Sequence, residues 1–167
     1  MTSANSPQDA AAAFASQAER YVRWLDRVVT DEAVVHMREL HELLGLLQVA
    51  AARISAGPPG NEPDREIDFK RISTAQLRSK LPVDAYSVVF DPFEYDPLEQ
   101  DPPKPVMATI ADDLADIYAD LMKGLVLRGQ HQNALWHWHF SYYTHWGRHL
   151  SHAQSAIWQY LSEGNWA

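Results

Sequence analysis

Residues 136–149 read WHWHFSYYTHWGRH and pack three tryptophans, four histidines, two tyrosines and one phenylalanine into a single run. Three readings compete for it: a metal site, a ligand pocket, or the core-facing side of a helix. The run lies between a break at Gly129 and a stop at Gly164, which predicts one long helix from about Gln130 to Glu163. On a wheel turning about 100° per residue, with Trp138 at zero, Tyr142, His145, His149, Ala156 and Tyr160 fall within about 40°. His137, Ser141, Thr144, Arg148, His152, Ser155 and Gln159 take the opposite side, so His137 is expected to face water. Trp136, Phe140, Gly147 and Trp158 cluster at roughly 160–200° and form a second packing face. A helix apolar over more than half its circumference is buried on two sides. That second face is expected to meet either the crossover at 86–106 or a second subunit, which makes a homodimer one candidate assembly. Gly147, amid bulky aromatics, is expected to let another backbone approach.

Three further helices are read outward from this one. Ser6, Pro7 and Asp9 suit the N-cap, first position and capping box of a first helix with a seam of Phe14, Ala18, Tyr21, Leu25 and Val28. A second helix is expected after Thr30, with Asp31 and Glu32 in its first turn. Its stripe is Ala33, Met37, Leu40, Leu44, Leu47, Ala51 and Ile54, and Gly57-Pro58-Pro59-Gly60 ends it. A third opens at Thr109 as N-cap with Asp112 at the third position and buries Ile110, Leu114, Ile117, Tyr118, Leu121 and Leu125. Short connections make the first and second helices, and the third and fourth, antiparallel neighbours. Two such hairpins bury their seams best against one another, so the expected fold is an all-α four-helix bundle in a single domain, 1–167. Residues 57–106 hold nine of the ten prolines and form a long irregular crossover between helices two and three, with a short helix at Ser73–Lys80 and a strand-like run, YSVVF, at 86–90.

Composition narrows the function classes. The chain has no cysteine, which excludes disulfide scaffolds, thiolate zinc sites and cysteine nucleophiles and fits a reducing cytoplasm. Its formal net charge is -8 and its fourteen lysines and arginines are scattered, whereas phosphate backbones reward clustered positive charge; nucleic acid is not an expected partner. The N-terminus lacks the basic and apolar regions of a secretory signal, and no apolar run is long enough to span a membrane. There is no glycine-framed serine elbow and no glycine-rich phosphate loop. The acidic run at 91–101 lacks the EF-hand arrangement.

The polar candidates lie on three helices. His145 and His149 have the i,i+4 spacing that brings two imidazoles to one cation, but without the glutamate of a zincin motif. The other reading is a pair of half-buried histidines hydrogen-bonded to carboxylates across the bundle. Helix three supplies Asp113 and Asp120 at the edge of its stripe, while Asp112 and Asp116 are expected to point further outward. His36 lies in the stripe of helix two and Glu39 at its margin. Glu39 with Glu42, and Asp113 with Asp116, also spell the i,i+3 acidic pairs with which all-helical nucleotide pyrophosphatases hold magnesium.

The segments ADDLADIYADL and ALWHWHFSYYTHWGRHL resemble a bacterial family known only as a domain of unknown function, whose members carry a LADDLADIY helix, a W-x-W-x-F segment and an HWG-x-H ending. The resemblance covers about residues 110–150. It matches at Asp112, Asp113, Asp116, Tyr118, Asp120, Trp136, Trp138, Phe140, His145, Trp146, Gly147 and His149, and it implies no reaction or ligand. Relatives carry charged residues where this chain has His137 and His139, which argues against an essential ligand role for those two.

The sequence therefore leads to a cytoplasmic binding, interaction or accessory module for a protein or small molecule, with no cofactor established. The alternative is a divalent-metal-dependent hydrolase of the pyrophosphatase type. Its polar site would combine His145, His149, Asp113, Asp120, His36, Glu39 and Tyr142, with His145, His149 and Asp113 as metal ligands.

Overall fold

The computed structural model describes residues 7–29, 32–61, 67–88, 104–129 and 131–164, and the chain is mostly helical. Helix α1 (Pro7–Asp26) buries Phe14, Ala18, Tyr21 and Leu25 completely. Val28, expected on the same seam, stands exposed because the helix ends at Asp26. Helix α2 (Ala33–Ala51) buries Met37, Leu40, Leu44 and Leu47, while Ala33 at its first turn is exposed. Ser6, Thr30 and Asp31, read as cap and first-turn residues, lie outside the described residues.

Among the described residues of the crossover, the short helix and the strand expected there are present, and the strand has a partner. The crossover holds a short helix α3 (Thr74–Arg78) and a two-stranded antiparallel ribbon, β1 (Ala85–Val88) with β2 (Val106–Thr109). The register pairs Ala85 with Thr109 and Val88 with Val106. The β2 segment, VMAT, leads directly into α4 (Ile110–Val126), so the strand pairing fixes where that helix starts. The acidic stretch 91–101 lies outside the described residues.

The start of α4 is capped from two directions. Thr109 Oγ1 accepts from the Asp112 amide at 3.2 Å, as the sequence predicts, and donates to Asp112 Oδ2 at 2.6 Å. Asp84, just before β1, accepts the next free amides: Ile110 N–H on its carbonyl at 2.9 Å and Ala111 N–H on Oδ1 at 2.8 Å. Carboxylates belong there because the helix dipole presents partial positive charge.

Helix α4 sits centrally, packed by α1, α3, α5 and α6. The buried Tyr21 hydroxyl donates to the Leu114 carbonyl at 2.8 Å, tying α1 to mid-α4. Beyond a 3₁₀ turn at Leu127–Gly129, α5 (His131–Ser141) returns against α4. Trp138 there is 2 % exposed; its indole donates to Leu121 O at 3.1 Å and meets Phe14 edge-on at 5.0 Å. The indole lies over Gly124, where an added Cβ would come within 2.0 Å of Trp138 Nε1.

Helix four is not the continuous α-helix the sequence predicts. A π-turn, Tyr142–Trp146, separates α5 from α6 (Gly147–Gly164). The buried residues record it: Ala134, Trp138, Ser141, Trp146, Leu150, Ala153 and Ile157 follow at spacings of four, three, five, four, three and four. The step of five is the extra residue of a π-turn.

Gly124→Ala is expected to lower stability by roughly 1–3 kcal/mol, because the new methyl must displace a buried indole. Urea denaturation measures this; an unchanged midpoint would contradict the packing described.

Candidate functional site

The π-turn determines which histidines meet which acids. With one residue inserted, the seam of α6 runs through Trp146 and Leu150, and the residues just before them, His145 and His149, fall on its flank. That flank faces α4, where Asp113, Asp116 and Asp120 recur at spacings of three and four along one edge. His149 Nδ1 lies 2.8 Å from Asp113 Oδ1, and His145 Nδ1 lies 2.7 Å from Asp120 Oδ2. A carboxylate only accepts, so each Nδ1 carries a proton and donates, which leaves Nε2 as the position open to an external ligand.

The two rings are 4.9 Å apart, and His149 Nε2 stands 3.5 Å from Asp116 Oδ2. One donor atom from each of Asp116, His145 and His149 lies within 4.8 Å of the others. The cluster is at a rim: the His145 and Asp116 side chains are each 46 % exposed, while the supporting Asp113 is 5 % exposed. Asp113 is held on its other oxygen by the Tyr86 hydroxyl of β1, which donates to Oδ2. Burial first, and then that hydrogen bond, push the Tyr86 phenol well above its ordinary range, so it stays protonated as a donor.

Several expectations are corrected here. Asp116, expected to point outward, offers an oxygen to the three-donor cluster, and Asp113 is the hydrogen-bond partner of His149 Nδ1. His137, expected to face water, is buried, with Nε2 3.6 Å from Asp120 Oδ1. Ser141, placed on the same outer side, is also buried and donates to the His137 carbonyl at 2.7 Å. Gly147 does admit a close backbone, but that of its own helix: an added Cβ would lie 2.3 Å from the Tyr142 carbonyl oxygen across the π-turn.

His36 and Glu39 do not join the histidine pair; their partners are Trp24 on α1 and Arg27 just after it. His36 is fully buried, stacks on Trp24 at 4.5 Å, and its Nδ1 accepts from Arg27 at 3.3 Å. Burial pushes the Glu39 carboxyl up, but hydrogen bonds from Arg27 and Trp24 outweigh this and hold it below the usual range. Tyr142 packs on Trp146 with ring centroids 4.8 Å apart and hydrogen-bonds Gln48. Of the second-face residues, Trp136 stacks on Phe140 at 4.9 Å, while Phe140 and Trp158 are 50 % and 60 % exposed.

The geometry makes a row along the α4–α6 groove: His137, Asp120, His145, Asp116, His149, Asp113 and Tyr86. Sequence reasoning set Asp116 and His137 aside as outward-facing and did not select Tyr86. On the wheel, the residues buried after Tyr142 (Trp146, Leu150, Ala153 and Ile157) centre about 120° from those buried before it (Ala134, Trp138 and Ser141), close to one residue's turn, which is the phase slip of an insertion visible only once burial is known.

A family model described as "Domain of unknown function (DUF5063)" matches residues 5–162. The chain belongs to this family. No curated protein matches the sequence. Among solved structures, the crystal structure of protein BF1032 from Bacteroides fragilis is similar, with a TM-score of 0.70 at 19 % identity over 93 % of this chain and 94 % of that one. At that identity the likeness is one of fold. Family membership brings no catalytic assignment, so the chemistry has to come from the groove. Among the described residues no helix is long and apolar enough to cross a membrane.

Gly147→Ala is expected to disrupt the π-turn and with it the His145–Asp120 pairing. Imidazole ¹⁵N NMR should show loss of the protected His145 Nδ1–H, with stability falling by about 1–3 kcal/mol. A retained signal would mean that the turn tolerates the methyl.

Proposed function

We propose that this protein is a binding module that holds a divalent transition-metal ion through His145, His149 and Asp116, in a four-helix bundle whose fourth helix is α5 and α6 together. The observation that carries the reading is the orientation of the two imidazoles. Each is fixed at Nδ1 by its own aspartate, leaving Nε2 for a ligand beside a third carboxylate. Metal-bound histidines are oriented in this way, their second nitrogen donating to a carboxylate. The 3.5 Å between His149 Nε2 and Asp116 Oδ2 is close to the roughly 3.4 Å between donors of a tetrahedral ion with bonds of about 2.1 Å. Small rotations of exposed side chains bring in His145. The exposed rim leaves the remaining coordination positions to water or an external ligand.

Two imidazoles and one carboxylate suit zinc, cobalt, nickel or iron better than magnesium or calcium, which favour all-oxygen sites. The pyrophosphatase form of the metal reading gains no support, because Glu39 is paired with Arg27, just past the end of α1, and Glu42 lies 3.9 Å from Arg20 on α1. The reading is thus of an accessory or binding module, cytoplasmic in keeping with its lack of cysteine.

Titration calorimetry of chelator-treated, tag-free protein should show one zinc ion per chain and no heat with magnesium or calcium. His145→Ala/His149→Ala should abolish zinc binding. Asp120→Asn, which loosens only the orientation of an imidazole, should weaken it about 10–100-fold while leaving the fold intact. Unchanged zinc stoichiometry in the double variant, or no binding by the wild type, would sink the proposal.

A further inference from the structure

Tyr86 has a second face. Its hydroxyl donates to Asp113, and the residue also lines a cavity of about 460 Å³ between β1 and one side of α6. That volume is in the range of small-molecule sites. On α6 the lining residues His152, Ser155, Ala156, Gln159, Tyr160 and Glu163 recur at spacings of three and four, so one helix face forms the wall. Val83, Ala85, Val88 and Ile110 supply apolar surface opposite. None of the proposed ion ligands lines this space, so the inference does not rest on the metal reading.

Beside the neutral groups of Ser87, Ser155, Gln159 and Tyr160, three polar residues at the cavity, Tyr86, His152 and Glu163, set its charge bias. The Tyr86 hydroxyl keeps its proton and commits it to the hydrogen bond with Asp113, so to any other group its oxygen can only accept. Burial, the largest influence on His152, holds its imidazole below the usual range, so at neutral pH it brings no positive charge. Glu163 adds a carboxylate, held on one oxygen by Gln159 Nε2 at 2.6 Å. No lysine or arginine lines the cavity among the described residues. An anion would find no countercharge there. A hydrogen-bond donor with positive charge would find acceptors, a carboxylate and an apolar wall.

We propose that the cavity between β1 and α6 binds a small organic ammonium ion: the amine is held by Glu163 and the Tyr86 oxygen, and the apolar body lies against Val83, Val88, Ile110 and Ala156. The test uses the full chain with 2-phenylethylamine as probe and 3-phenylpropionate as a carboxylate of similar shape. Titration calorimetry should give saturable amine binding with Kd below about 1 mM and at least tenfold weaker binding of the carboxylate. Glu163→Gln, at an exposed helix end, should weaken the amine about tenfold, and Ala156→Phe should block it by filling the space. His145→Ala/His149→Ala should leave amine binding intact, which separates this result from the fate of the metal reading. Equal binding of the two probes, no amine binding, or an unchanged Kd in Glu163→Gln would overturn the proposal.

Discussion

The single extra residue between Tyr142 and Trp146 is the constraint on which the rest of the groove depends. A helix that kept 3.6 residues per turn throughout would carry one seam from Trp138 through Tyr142, His145 and His149 into the core. The π-turn moves that seam over by one residue. Trp146 and Leu150 become core, and the two histidines move to the flank facing α4. The cost of the irregular turn is limited by Gly147, whose missing side chain leaves room for the Tyr142 carbonyl. Trp146, fully buried against Tyr142 and Phe14, anchors the turn from the core side. Single π-turns of this kind recur at functional sites because they re-aim a few side chains without unmaking a helix.

The other half of the groove is built from α4, and its geometry is set far from the histidines. Asp84 and Thr109 fix the first turn of the helix, the β1–β2 ribbon delivers the chain to it, and Tyr21 holds its middle. Lys80 ties the neighbouring segment to the end of α1 by donating to the Leu25 carbonyl and, at 2.9 Å, to that of Arg27. These contacts leave α4 little freedom to rotate, so the edge carrying Asp113, Asp116 and Asp120 is presented in fixed phase. Burying a carboxylate such as Asp113 is costly unless its lone pairs are satisfied. Its two partners, His149 and Tyr86, come from α6 and β1, so the polar interaction spans three elements. The same tyrosine joins the ion-site candidate to the cavity beside it.

The two polar clusters also show how similar residues acquire different roles. His36 is buried against Trp24 and Arg27 and Glu39 pairs with Arg27 at the surface, so the histidine nitrogen facing Arg27 accepts and the glutamate is neutralised by a cation. That cluster closes the α1–α2 hairpin. His145 and His149 pair with carboxylates, their Nδ1 atoms donate, and their Nε2 atoms lie at a rim where the His145 and Asp116 side chains are exposed. Charge sign of the neighbour, rather than the imidazole itself, separates a structural histidine from a ligand candidate.

Much of this was legible in the sequence, because it follows from periodicity and chain-local chemistry. The seams of α1, α2 and α4, the Thr109–Asp112 cap, the short α3 and the strand-like run before residue 90 depend on residues close in the chain. So did the selection of His145, His149, Asp113 and Asp120, which an i,i+4 pair and an acidic edge make visible. Tertiary structure alone decided the pairing of VMAT with β1, the burial of His137 beside Asp120, and the entry of Asp116 into the three-donor set. The physical reason is phase. A helical wheel adds equal angles per residue and carries any local departure into every later position, while packing against α4 requires only that the seams meet. The sequence determined which residues had to be buried, and the fold placed the extra residue that let them be.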